Sequence, residues 1–211
     1  VVKRGEKTVV LVHGLGANRL MMWLLAQRLA GRGYQVINWG YRSVTRTVEN
    51  HGLDLFHSLS QLDADKNLKE VHLVTHSLGG IVARTALTHG KIKKLNRMVM
   101  LCPPNRGSHW ATVFGPLLKP VCGTVDQLAT RPDSYVNTLP LPQDLEVGII
   151  AAAYDPLVPV DSTYLGVERD HLVWPFVTHT GVLFRNGVAE QVAHFLNRGE
   201  FLRQENLAMS A

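Results

Sequence analysis

Cysteine is scarce in this 211-residue chain: Cys102 and Cys122 are the only two. Their spacing matches no metal site and no H-E-x-x-H occurs, so metal chemistry has no support and no metal or cofactor is expected. One disulfide and two reduced thiols are equally open, and no redox compartment follows. Long apolar runs are missing as well, since none approaches the 18 or more residues of a membrane span. The expectation is a soluble domain without a signal or transmembrane segment in the chain as given. It opens on Val1, so a leader removed beforehand is compatible with it and no compartment is assigned. Blocks of one charge are also lacking. The balance is +5, from 22 basic and 17 acidic residues, and only Lys91, Lys93, Lys94 and Arg97 cluster. Such a group reads as a solvated helix end and loop, and no nucleic-acid partner is expected.

What is present is an ordinary globular composition, 45% apolar and 18% charged, over a length that suits one domain, residues 1–211. Apolar strand-like runs occur at Thr8–Val12, Tyr34–Trp39, Val71–Thr75, Leu95–Cys102 and Leu145–Ala152. Between and after them, helical spacing marks Leu20–Leu29, Val44 to about Asp65, Ser77–Gly90 and Val188–Leu196, with Gly52 a weak point in the second. Strands alternating with helices imply an α/β fold: a mostly parallel sheet with helices on both faces. Residues 103–143 interrupt the alternation and hold seven of the ten prolines. These 41 residues are too many for a plain connector, so a cap- or lid-like insertion over the carboxyl ends of the strands is expected.

The organising stretch is Val71–Gly80, V-H-L-V-T-H-S-L-G-G. A β-branched run stops at Ser77, small residues follow, and helical spacing resumes. A serine at a sharp strand-to-helix corner is exposed for nucleophilic attack, and the helix amino terminus behind it favours developing negative charge.

T-H-S-L-G-G resembles the nucleophile elbow of α/β-hydrolase lipases and esterases, and V-V-L-V-H-G-L-G resembles the first oxyanion segment of the same superfamily. One departure is Thr75 in the place of the first glycine of G-x-S-x-G, a place expected to lie against Gly79. The resemblance implies Ser77 as nucleophile, with the amides of Leu15 and Leu78 as oxyanion donors. Among ten histidines, His179 in F-V-T-H-T-G precedes the closing helix, as the family's catalytic histidine does; His171 is its main rival, and His109 also stays in view. His13 and His76 belong to the motifs and read as packing and loop-shaping residues. Y-D-P-L-V-P after the Leu145–Ala153 strand resembles the family's acid turn, which singles out Asp155, with Asp161 six residues on as the alternative. P-P-N-R-G-S at 103–108 is similar to the segment after the corresponding strand in bacterial triacylglycerol-lipase-like enzymes.

The resemblance implies a serine carboxylic-ester hydrolase that works through an acyl-enzyme on Ser77. Apolar residues of the insertion, Trp110 and Phe114, are expected to meet an acyl chain or apolar alcohol. A lipid-interface contact is compatible with that, and no oligomeric state follows. Thioesterase, amidase and acyltransferase chemistry would use the same residues, and a non-catalytic ligand receptor would keep the same fold. A nucleotide-binding module is the remaining reading: Gly14-x-Gly16 follows a strand, but Arg19 takes the third glycine position and Asn38-Trp39 supply no acidic residue.

Overall fold

A computed structural model describes residues 7–118 and 122–203. Residues 119–121 of the proline-rich segment, and the two ends of the expected 1–211 domain, lie outside the described residues. Six strands form one sheet: β1 (Lys7–Val12), β2 (Gln35–Trp39), β3 (Glu70–His76), β4 (Leu95–Leu101), β5 (Glu146–Ala152) and β6 (Asp170–Trp174). Their order is β2-β1-β3-β4-β5-β6, and each pairing is parallel. The chain runs outward from β1 to β2, then returns to the other side of β1 for β3. That reversal opens a crevice at the carboxyl ends of β1 and β3, where ligands bind in open α/β sheets.

Period-two alternation divides the core between the two faces. Val9 and Leu11, Val74, Val99 and Leu101, and Ile150 and Ala152 face α1 (Arg19–Ala30) and α8 (Asn186–Arg198). Val10 and Val12, Leu73, Met98 and Met100, and Val147 and Ile149 face α2 (Val48–Ala64) and α3 (Leu78–Thr88). Apolar residues on successive positions therefore serve two cores, which is why these strands read as continuous runs. β6 went unseen in the sequence. It is an edge strand, with Val173 exposed and the other four residues only half-buried, so D-H-L-V-W makes no continuous apolar run.

Caps correct two helix boundaries. Asn18 caps α1 by accepting from the Leu20 amide at 2.9 Å. Thr47 caps α2, so that helix starts at Val48 rather than Val44. Gly52 is where α2 crosses α3: a Cβ there would stand 2.3 Å from Thr85 Cγ2 and 2.6 Å from its Cβ. Gly52→Ala should therefore destabilise the protein by about 1–3 kcal/mol in urea denaturation, despite alanine's better helix propensity. A gain in stability would show that the two helices separate freely.

The proline-rich segment is not structureless. It folds as α4 (His109–Leu118), α5 (Gly123–Gln127) and α6 (Tyr135–Thr138), and α7 (Val160–Thr163) follows β5. Ala111, Val125, Leu128 and Val136 join the α2/α3 core. Arg84 of α3, almost wholly buried, fastens both ends of the segment: Nη1 donates to the Asn105 carbonyl at 3.3 Å and Nη2 to the Leu139 carbonyl at 3.1 Å.

Candidate functional site

The loop after β1 forms one wall. His13 Nδ1–H donates to the Gly14 carbonyl at 2.9 Å, and Nε2 accepts from the Tyr41 amide at 3.4 Å. The ring stacks on Tyr41 with centroids 4.4 Å apart, and the Tyr41 hydroxyl donates back to the His13 carbonyl at 2.8 Å. Burial lowers the His13 pKa, so the neutral ring that these bonds require is favoured. The Gly16 amide is held by Ser43 Oγ at 3.0 Å. Between these anchors the Leu15 amide has no acceptor among the described residues. Gly14 lets the loop approach the next strand, because a Cβ would lie 3.0 Å from the Ser77 Cβ and 3.1 Å from His76 Nδ1.

Ser77 alone separates β3 from α3, with φ 53° and ψ −125°. For a residue with a Cβ this conformation costs about 1–3 kcal/mol and persists only where the surroundings impose it. Here the Ser77 amide donates to the Leu101 carbonyl at 2.9 Å and its carbonyl accepts from Gly80 at 2.9 Å. Leu78 opens α3, where the first amides lack intrahelical acceptors. The expected contact between Thr75 and Gly79 is corrected by the packing. A Cβ on Gly79 would meet the Val12 and His13 carbonyls at 2.4 and 2.7 Å, whereas Gly80 is the glycine that faces Thr75 Oγ1. Threonine at 75 is thus compatible with a tight corner, whose closeness is set against β1.

His179 and Asp155 meet although 24 residues apart. His179 Nδ1 lies 2.6 Å from Asp155 Oδ2, and the carboxylate side chain is wholly buried. Asp155 Oδ1 accepts from the Leu157 and Val158 amides, each at 2.9 Å. A buried carboxylate with three donors is compensated and held in one orientation. Nε2 is left as the uncommitted ring nitrogen of His179. Cys102 Sγ lies within 4.8 Å of ligand atoms on both residues. That trio does not suit a cation: histidine and aspartate already engage each other, and burial, then the Asp155 charge, pushes the thiol pKa upward. Cys102 and Cys122 are both free and buried.

Ser77, His76 and His179 line one cavity of about 350 Å³, closed by Leu15, Trp110, Leu128 and Leu157 among others. A family model, the alpha/beta hydrolase family, matches residues 9–199. The chain belongs to that family.

Solved structures similar to this chain share its fold. Bacillus licheniformis lipase BlEst2 in mature form has a TM-score of 0.74 at 16% identity, over 92% of this chain and 92% of that one. Its propeptide form gives 0.72 at 16%, over 91% of this chain and 50% of that one, so the chain spans half of that longer one. The Pyrococcus furiosus esterase Pf2001 gives 0.66 at 20%, over 92% and 83%. No curated protein matches the sequence.

The other residues singled out from the sequence stand elsewhere. His171, on β6, bonds Thr163 Oγ1 at 2.8 Å and stacks on Tyr164 at 4.0 Å, away from Ser77's cavity. Asp161 is exposed in α7, and His109 is exposed at the start of α4. Trp110 reaches the cavity wall, while Phe114 rests against the Trp110 ring, centroids 5.2 Å apart, without lining the cavity itself. In the basic cluster, Lys91 pairs with Asp144 at 3.3 Å and Arg97 with Glu146 at 2.6 Å. Among the described residues no helix is long and apolar enough to cross a membrane. Tyr41 and Ser43, which hold the loop after β1, were missed, because their roles depend on contacts between distant segments that no local pattern announces.

Proposed function

We propose that the chain is a serine hydrolase of carboxylic esters, with Ser77 as nucleophile, His179 as general base and acid, and Asp155 as the group that orients it. The observation that carries this reading is the 2.6 Å bond from His179 Nδ1 to a buried carboxylate, beside a serine on a strained corner of the same cavity. His179 Nε2 takes the Ser77 hydroxyl proton as Oγ bonds to the acyl carbon. The same proton passes to the leaving alcohol as the acyl–oxygen bond breaks. Water then attacks the acyl-enzyme by the reverse sequence. The Leu15 and Leu78 amides serve as oxyanion donors, pre-set by the His13–Tyr41 and Ser43 anchors and by the helix start.

In this reading residues 103–143 act as a cap-like insertion on a single catalytic domain, its Trp110, Ala111, Val125 and Leu128 forming the apolar wall for an acyl chain. A volume of about 350 Å³ is near the lower end for small-molecule sites and favours short or medium chains. A panel of p-nitrophenyl esters of two to sixteen carbons should show turnover that peaks in the shorter half. A fluorophosphonate should label Ser77, identified by peptide mass. Absence of both would overturn the reading in favour of a non-catalytic ligand receptor.

A further inference from the structure

His76 does more than fill space beside the nucleophile. It is the last residue of β3 and is buried, and its Nε2 lies 2.9 Å from the backbone carbonyl of His179. A carbonyl can only accept, so Nε2 carries the proton and the ring is the neutral Nε2–H tautomer. The two imidazoles stand 4.9 Å apart between centroids. Nδ1 is buried without a partner among the described residues, close to where Gly14 passes. Burial and then the nearby His179 push the His76 pKa down to about 3, so no second cation competes when His179 takes up a proton.

We propose that His76 is a positioning residue for the reaction: its Nε2–H, donated to the His179 carbonyl, fixes the loop that carries the base to the strand that carries the nucleophile. This rests on the assignment of Ser77, His179 and Asp155 given above. Asp155 orients the His179 ring, but a ring tethered only through its side chain can still shift with its backbone. The Tyr154 amide also holds this loop, donating to the Val177 carbonyl at 3.1 Å, but His76 restrains the His179 backbone itself from the residue next to the nucleophile, so it links nucleophile and base directly through one hydrogen bond and a rigid strand end. A misplacement of about 1 Å in such a relation can cost about 100-fold in rate.

Two amides test the idea with little change in polarity. The Gln side-chain nitrogen reaches about as far as histidine Nε2, whereas the Asn nitrogen stops near Nδ1. H76N should lower kcat on a short p-nitrophenyl ester by about 30–100-fold with KM within about twofold, and slow fluorophosphonate labelling in parallel. H76Q should recover at least about tenfold of that loss. Equal activity of H76N and the parent, or no gain of H76Q over H76N when both melt cooperatively, would overturn the proposal. The ¹⁵N spectrum of the histidine rings in the unmutated protein provides a readout that needs neither turnover nor a folded variant. His76 should be neutral and Nε2-protonated at pH 6, and a charged ring or an Nδ1–H tautomer would overturn the proposal. Absent turnover and labelling in the unmutated protein, with that ring signal present, would instead count against the triad assignment.

Discussion

Ser77→Ala is expected to lower kcat/KM on p-nitrophenyl esters by about 10⁴-fold or more and to abolish fluorophosphonate labelling, with the fold retained. The size follows from the chemistry: once Oγ is gone, His179 has no attached nucleophile to deprotonate, and oxyanion donors and binding alone supply the residual rate. A companion substitution separates function from strain. Ser77 holds φ 53° and ψ −125°, and alanine keeps the Cβ that makes this costly. Glycine removes it, so Ser77→Gly should be as inactive as Ser77→Ala yet more stable by about 1 kcal/mol, after allowance for glycine's greater unfolded-state entropy. For a chain of this size that is a rise of about 2–4 °C in Tm. Ester turnover retained in Ser77→Ala would place the nucleophile elsewhere. A glycine variant no more stable than the alanine one would show that the corner stores no strain.

Much of this arrangement was legible because the informative signals are local. The corner at Ser77 is a change of period within ten residues, and β1, β3, β4 and β5 are apolar runs because both faces of each are covered. Asp155 and His179 were singled out by the resemblance to lipases and esterases, one after a strand and the other before the last helix, and their side chains lie 2.6 Å apart. Signals that depend on two distant segments were not legible. Gly52 read as a defect in a helix, although its meaning lies in Thr85 of the neighbouring one. The partner of Thr75 was placed at Gly79 by motif spacing, but which glycine faces which neighbour is decided by the rotation of α3 over β1 and β4. β6 was lost because an edge strand buries only part of each residue. His76 read as a loop-shaping residue, but the carbonyl its ring bonds is 103 residues away.

Asp155→Asn should lower kcat by about 10³–10⁴-fold while leaving the protein folded, and the hydrogen bonds around the carboxylate explain why so small a change is so severe. Oδ1 is fixed by two backbone donors, the amides of Leu157 and Val158, and Oδ2 by His179 Nδ1. An asparagine has one oxygen to place, and two amide donors at 2.9 Å demand it. Its NH₂ group then faces His179, and flipping the amide would set NH₂ against two N–H groups in a buried site. Nδ1 must become the acceptor, which moves the imidazole proton to Nε2. In that tautomer the ring has no lone pair for the Ser77 proton, so the base is disabled although every heavy atom keeps its place. Asp155→Ala would instead leave the Leu157 and Val158 amides without their acceptor and should be less stable than Asp155→Asn as well as inactive. Asp161→Asn, on the exposed face of α7, should stay within about twofold of the parent in kcat. A mild effect at Asp155 with a severe one at Asp161 would transfer the acid's role. A crystal structure of Asp155→Asn with its amide oxygen turned toward His179 would refute the tautomer argument even if activity were lost.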